Sequence, residues 1–466
     1  MIAQAGKFVL NLGSNIILAR LLTPQDYGLI GMVTAITSFV GLFNDIGLST
    51  ATVQKAKINH EQVSTLFWVN VMLSLGTTLV TVALAPAIAW FYGEPRLIGI
   101  TLFLASAFIF AGLSVQHQAL LQRQMRFTTL AIIDIISMLV SVVTAIIAAW
   151  LGASYWALVI MQLTLVISYS AGRWLMCGWI PGLPAWSSGV RSMIALGGNL
   201  TGFNILNYFS RNLDNILIGR VWGAGALGLY SKAYNLMMLP LQQINSPITA
   251  VAVPGLSLLQ AEPQEFRNHY LKALSLITAC TTPIVLLMLI LAPELVELLL
   301  GSQWSQVSVI FQLLGLSALC QPITNTSGWL YIATGRTDRM FRWGIFSSSL
   351  LVMSFIIGLP YGVMGVALSY SIAKLIQTLP CMYYATRNTA ITLLDLLNAV
   401  KQPFLASFLA GLVAFGIKVL IEPTLTVWAI VVISSAAMGL IYIASLFYLF
   451  GAKDFYVSVI RQLKRS

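Results

Sequence analysis

The stretch ILARLLTPQDYGLIG, Ile17 to Gly31, sets an arginine at the end of an apolar run and then breaks at Thr23-Pro24. Two hundred residues later LIGRVWGAGALGLYS, Leu217 to Ser231, repeats the arrangement: Arg20 aligns with Arg220, Gly28 with Gly228 and Leu29 with Leu229. The match continues upstream. The polar residues of the first run are Gln4, Lys7, Asn11, Ser14 and Asn15, and at the same offset stand Asn204, Asn207, Arg211, Asp214 and Asn215. Both sets keep i, i+3, i+7, i+10, i+11 spacing, which is one face of a helix.

The solvent for these helices is set by composition. Of 466 residues 58% are hydrophobic and 8% are charged, whereas a soluble domain carries about 25% charged residues. Too few charges are available to coat a surface in water, so the fold class is all-α integral membrane. The net charge of +11 does not call for nucleic acid, because Lys and Arg collect in the cytoplasmic loops of membrane proteins. The four cysteines, Cys177, Cys280, Cys320 and Cys381, are far apart and adjoin hydrophobic runs. No CxxC or His–Cys spacing supports a metal or a disulfide scaffold, and no cofactor is implied. His60, His117 and His269 stand near expected loop ends and read as solvated interface residues. The first apolar run continues into the repeat instead of ending at a small-residue cleavage site, so it is read as a span and not as a cleavable signal.

A spanning helix takes about 20 mostly apolar residues. Fourteen candidates follow, at residues 2–22, 27–52, 63–92, 97–120, 128–150, 153–177, 191–219, 226–257, 270–298, 305–333, 340–360, 362–386, 396–420 and 426–450. With the N-terminus in the cytoplasm, five of the 25 Lys and Arg fall on the outer side: Arg20, Arg96, Arg211, Arg220 and Lys418. Lys232 and Lys374 lie inside spans, and the other 18 are cytoplasmic. That asymmetry places both termini inside. Six spans separate the two copies of the repeat, an even number, so the repeats are parallel, related by an axis along the membrane normal. The expected organisation is two pseudo-symmetric six-helix lobes, 1–180 and 191–390, around a central cavity. Two additional helices (396–452) and a basic cytoplasmic tail (453–466) follow.

In lipid a polar helix face must turn toward other helices or a watery cavity. The plain alternative is a packing seam, since Asn and Ser hydrogen-bond between helices. Arg211 and Asp214, three residues apart in one span, favour the cavity because charges there need hydration or a partner. Of the deeper charges, Asp134 and Lys232 lie a turn or two inside and are read as snorkelling. Asp45 and Lys374 are the candidates for a coupling ion. Arg20 and Arg220 each end a helix, where a cation complements the dipole. GAGALG, Gly223 to Gly228, fits GxGxxG, but a span precedes it and Asn245 stands where a dinucleotide site needs an acid. Glu294 and Glu297 are assigned to the outer interface. Neither paired catalytic carboxylates nor a nucleophile elbow is found, so no enzyme is expected.

LARLLTPQDYGLIG (18–31), FNDIGLSTATVQKAKINHEQVSTLFWVN (43–70) and RNLDNILIGRVWGAGALGLYSKAYNLMMLPLQQINSPITAVAVPGLSLLQ (211–260) resemble the Wzx-like polysaccharide flippases. These belong to the multidrug/oligosaccharidyl-lipid/polysaccharide exporter superfamily, and the likeness is to exporters of the colanic acid and teichuronic acid type. The resemblance implies movement of an undecaprenyl-diphosphate-linked oligosaccharide across the bacterial inner membrane by alternating access. It implies membrane lipids, a polysaccharide polymerase and other assembly proteins as partners. On that reading Arg211, with Lys7, Arg20, Arg220 and Lys232, supplies positive potential for the diphosphate, and Asp214 lies beside it. Asn11, Asn15, Asn204, Asn207 and Asn215 contact sugar. A cation-coupled multidrug antiporter of the same superfamily would place more carboxylates on the inward faces. A membrane-embedded polymerase or glycosyltransferase would need a large outer loop or an interfacial catalytic acid.

Overall fold

The computed structural model describes residues 2–45, 47–55, 58–185, 191–452 and Tyr456; side chains at 2, 3, 5, 191–207 and 209–211 are not among those described. Helices follow in the order α1 (Ile2–Leu21), α2 (Pro24–Gly41), α3 (Leu48–Gln54), α4 (His60–Tyr92), α5 (Arg96–Arg123), α6 (Phe127–Trp150), α7 (Trp156–Cys177) and α8 (Arg191–Leu258). Then come α9 (Pro263–Ile290), α10 (Ala292–Leu299), α11 (Ser305–Ala333), α12 (Thr337–Gly358), α13 (Gly362–Thr386), α14 (Leu393–Ile421) and α15 (Val427–Ala444). Among the described residues nine stretches are long and apolar enough to cross a membrane. One of them, Thr337–Thr386, is the pair α12 and α13; with α1, α2 and the two arms of α8 this makes the fourteen spans expected. The chain is an all-helical, multi-pass membrane protein.

The repeated motif breaks the helix at the same register in both copies. At the first, Thr23 caps α2 in extended conformation and exchanges bonds with Asp26, while Pro24 starts the helix, satisfying donors that lipid cannot. At the second, α8 breaks at Gly223, with φ 80° and ψ −177°, a backbone state that only glycine takes without strain. The two breaks meet. A Cβ on Gly28 would lie 1.7 Å from the Ala224 carbonyl oxygen, and one on Gly228 would lie 1.8 Å from the Pro24 carbonyl oxygen. The contact is reciprocal at an offset of 200 residues.

Two compact units result, Met1–Gly228 and Leu229–Ser466. The repeat boundary read from sequence falls at 180–191, whereas the first arm of α8 belongs to the first unit. Tyr208 of that arm donates to the Ala35 carbonyl of α2, and a Cβ on Gly219 would lie 2.9 Å from Tyr92. Within this unit α4 packs on α5, α5 and α6 on α7, and α1 on α6. The segment after α7 is fastened to α4: Trp68 Nε1 donates to the Gly182 carbonyl, the Gly182 amide to Ser64 Oγ and the Ala185 amide to Thr65 Oγ1, each at 2.9 Å.

The expected single span 27–52 is interrupted between Gly41 and Leu48. Thr77 Oγ1 donates to Asn44 Oδ1 at 3.2 Å, and Asp45 accepts from the Ser49 amide at 3.1 Å and from its hydroxyl. Short polar side chains here compete with the helix for its own backbone donors, and Gly47 turns the chain at φ 74°.

In the second unit α11 packs on α13, α12 on α13, and α9 on α14. The last two helices close on α9 through small residues: Ala406, Ala410 and Ala414 are buried with Ala279, Met438 and Tyr442, the close approach by which helices associate in lipid. Lys418 and Glu294, read separately from sequence, are buried against each other. They form an ion pair at 2.7 Å with side chains 9% and 6% exposed, and Lys418 also donates to the Ile290 carbonyl at 3.0 Å.

Two stability predictions follow from these contacts. Gly28→Ala or Gly228→Ala forces the crossing apart and lowers stability by about 1–3 kcal/mol. Gly13→Ala, where nothing lies within 4 Å, is neutral or gains up to about 1 kcal/mol from helix propensity. Lys418→Met alone costs about 3–5 kcal/mol by stranding a buried carboxylate, and Lys418→Met with Glu294→Leu recovers most of it. Melting of the purified protein in detergent, followed by size-exclusion fluorescence, reads both.

Candidate functional site

The polar face of α1 is in place, and its cation has a partner. Lys7 pairs with Asp134 on α6, so Asp134 does not snorkel: the carboxylate is used 127 residues away in sequence. Asn15 Nδ2 donates to the Asn11 carbonyl and to Asn11 Oδ1 at 2.9 and 2.8 Å, and Ser14 Oγ donates to the same carbonyl at 2.9 Å. Asn11 is exposed, Asn15 half-buried and Ser14 buried. Leu18 and Ala19 continue this side of the helix one turn on and are buried, whereas Val9 and Ile17 on the other side are exposed, as expected for a helix with one inward face.

A second cation adjoins this pair. Arg173 on α7 lies over the Tyr169 ring at 5.1 Å, donates to Ser114 Oγ on α5 at 3.2 Å, and is within electrostatic reach of Asp134. Its Nε is buried without a hydrogen-bond acceptor. Lys7, Asp134 and Arg173 together give α1, α6 and α7 one net positive charge inside an apolar bundle. The charge count had placed Arg173 among the cytoplasmic cations, because its place four residues before the end of a span looks like a loop flank.

The counterpart face on α8 is described from Asn212 onward. Asn204, Asn207 and Arg211 lie outside the described residues as far as side chains are concerned. Asp214 is buried and accepts from the Asn215 amide at 2.8 Å, and Asn215 is half-buried. Arg20 is exposed in the last turn of α1. Arg220 is exposed, with its guanidinium over the Phe91 ring at 5.5 Å, an attraction to the negative ring face.

In the second unit Lys232 is 4% exposed and sits 5.7 Å from the centre of the fully buried Trp304 ring. It is an interior lysine, not a snorkelling one. Lys374 is half-buried, 5.8 Å from the Tyr370 ring. Gln377, next on its helix face, ties α13 to α12 by accepting from Ser347 Oγ at 2.8 Å and donating to the Ser347 carbonyl at 3.1 Å. Asp45 lies in the interruption between α2 and α3, where it caps α3. The structure thus groups Lys7 with Asp134 and Arg173, and leaves Asp45 and Lys374 in separate units.

The histidines divide. His60 and His269 are exposed, but His117 is 0% exposed and stacks on Trp174 at 4.2 Å between Phe67 and Trp179. Its expected place at an interface is corrected by this aromatic packing, which joins α4, α5 and α7. At the start of α5, Arg96 chelates Glu94 of the preceding loop with bonds of 2.8 and 2.7 Å and holds its carboxyl below the usual range.

The Lys7–Asp134 pair yields a test that separates packing from substrate handling. Asp134→Asn or Lys7→Met lowers stability by about 1 kcal/mol, the worth of a partly exposed pair. The swapped variant Lys7→Asp with Asp134→Lys restores melting. If the pair works on substrate, the swap still fails to complement transport in cells at matched expression.

Residues 17–309 match the family described as Polysaccharide biosynthesis protein. The chain is 26% identical over 370 residues to the lipopolysaccharide biosynthesis protein WzxC of Escherichia coli K12, covering 78% of this chain and 74% of that one. It is 27% identical over 389 residues to the teichuronic acid biosynthesis protein TuaB of Bacillus subtilis 168, covering 83% and 80%. Its fold is similar to that of the lipid II flippase MurJ in an inward closed conformation, with a TM-score of 0.75 over 98% of this chain and 99% of that chain at 18% identity. An inward-facing multidrug resistance MATE transporter shares the fold at a TM-score of 0.65 and 13% identity, covering 84% and 96%.

Proposed function

The chain belongs to the polysaccharide biosynthesis protein family, the Wzx-like flippases of the exporter superfamily, and from that premise we propose that it moves an undecaprenyl-diphosphate-linked oligosaccharide across the bacterial inner membrane. The observation that carries the reading is the cationic, amide-rich polar stripe of α1, with Lys7 and Asp134 paired and Arg173 short of acceptors, in a helix otherwise built for lipid. A diphosphate needs charge-assisted donors, and a sugar chain needs amides and hydroxyls. The isoprenoid tail needs nothing but the bilayer. Multidrug relatives share the fold alone, while the relatives at 26–27% identity are named for lipopolysaccharide and teichuronic acid biosynthesis.

In this reading both termini are cytoplasmic, the two repeats enclose a central cavity, and transport proceeds by alternating access with no catalysis by the protein. Arg211, Arg20, Arg220, Lys7 and Lys232 attract the diphosphate. Asn11, Asn15, Asn204, Asn207, Asp214 and Asn215 meet sugar hydroxyls, and Asp45 and Lys374 are the candidates for ion coupling. Substrate arrives from membrane glycosyltransferases and leaves to a polymerase.

Deletion of the gene, in a strain without a redundant exporter, leads to accumulation of a lipid-linked oligosaccharide on the inner leaflet and loss of surface polymer. Wild-type protein restores export. Arg211→Ala and Arg20→Ala at wild-type expression each restore less by about tenfold or more, the worth of a charge-assisted bond. Full export by both variants overturns the charged-site assignment; deletion without accumulation and with polymer intact overturns the flippase reading.

A further inference from the structure

The hairpin of α12 and α13 carries a cationic cluster at its open end. Arg336 donates through its two terminal nitrogens to the carbonyls of Arg387 and Asn388, both at 2.9 Å, and Arg339 donates to the Arg387 carbonyl at 3.0 Å. Two guanidinium groups are thereby gathered on the carbonyls just past the end of α13, one of them that of Arg387. Arg342 lies one turn beyond Arg339 on the same face, exposed like Arg387.

One carboxylate stands against four arginines. Between Glu297 and Asp395 the chain has one acid, Asp338; it lies one turn before Arg342 at i, i+4 spacing, and among the described residues it forms no ion pair. Among the described residues none of the four arginines forms an ion pair. The side chains of Arg342 and Arg387 make no hydrogen bond within the described chain.

A turn deeper the surface changes character. Trp343 stacks on Tyr384 at 5.9 Å and meets Phe346 at 5.4 Å, and Arg339 lies over the Tyr384 ring at 5.8 Å. Beside them Phe341, Ile345 and Tyr383 are exposed, and farther along α13 so are Leu379 and Ile376. Guanidinium groups, then aromatic rings, then exposed aliphatic side chains along one helix pair match the order of headgroup, interface and acyl region in a bilayer leaflet.

We propose that this end of the α12–α13 hairpin is a binding site for an anionic phospholipid, whose phosphate sits among Arg339, Arg342 and Arg387 while its acyl chains lie on Phe346 and Ile345. The phosphate could in chemistry be free in solution. The adjoining exposed apolar strip favours a phosphate that carries chains, and a soluble acidic segment would leave that strip bare.

The test uses the full-length protein in detergent, with dioleoylphosphatidylglycerol and dioleoylphosphatidylcholine as probes and native mass spectrometry as the readout. Wild type retains phosphatidylglycerol in preference. Arg342→Gln with Arg387→Gln, two exposed side chains whose loss breaks no contact, weakens phosphatidylglycerol binding by about fivefold per arginine and leaves phosphatidylcholine unchanged. Arg342→Lys with Arg387→Lys keeps most of the preference. Equal retention of the two lipids, or a double glutamine variant that binds like wild type, overturns the site. Displacement of the lipid by free glycerol phosphate, or by an acidic peptide at equal concentration, overturns its assignment to phospholipid.

Discussion

The backbones of α2 and α8 cross with no side chain between them, and this contact sets what the neighbouring residues can be. Gly28 faces the Ala224 carbonyl and Gly228 faces the Pro24 carbonyl, each at a distance where a Cβ would collide with backbone. Backbone gives way far less readily than the end of a flexible side chain. The break that precedes each crossing must therefore fall at one residue, and Thr23 and Gly223 meet that demand by different means, a capping box and a left-handed backbone. Around the crossing Tyr208 reaches α2 and Gly219 lies against Tyr92, which is why the first arm of α8 joins the first unit.

Away from the crossing the governing constraint is the solvent. Lipid offers nothing to a stranded donor or charge, so interior charges appear with partners: Lys7 with Asp134, Lys418 with Glu294, and at a helix end Arg267 with Asp395. Each pair joins helices more than a hundred residues apart in sequence. Such pairs add little over an apolar substitute of the same volume, but breaking one is costly. They therefore specify which helices become neighbours. The same reasoning marks Arg173, whose buried Nε has no acceptor, as a place where an anion would be welcome.

Much of this was legible in the residues. Fourteen apolar runs, their short connections and the repeat at an offset of 200 all follow from local pattern, because a spanning helix satisfies its own backbone and needs no distant partner. Gly28 and Gly228 were legible as helix openers but not as each other's surroundings, since spacing along a chain says nothing about contact across it. The charges failed for the same reason. Asp134 and Lys232 looked like snorkelling residues, and the contact of Lys418 with Glu294 was unreadable, until partners 127 and 124 positions away and a buried indole were in view. The interruption after Gly41 was missed because FNDIG reads as a weak stretch of one span; Asp45 and Asn44 compete for backbone only once Ser49 and Thr77 are close. Of the candidate site, the α1 stripe was readable from periodicity alone, whereas Arg173 was hidden by its closeness to a helix end.

The reciprocity at Gly28 and Gly228 has a consequence for descent. A contact in which one residue meets a second, and the copy of the second meets the copy of the first, has the form of an isologous interface between two identical chains. In a half-length ancestor acting as a two-fold dimer, one codon would have governed both glycines, and any change would have struck the crossing twice. Fusion into a single chain would have released that coupling. Position 23 could keep threonine while its copy became glycine, Asp26 could face alanine at 226, and Asp45 could answer to asparagine at 245. What both halves retained is the pair of glycines where their backbones touch.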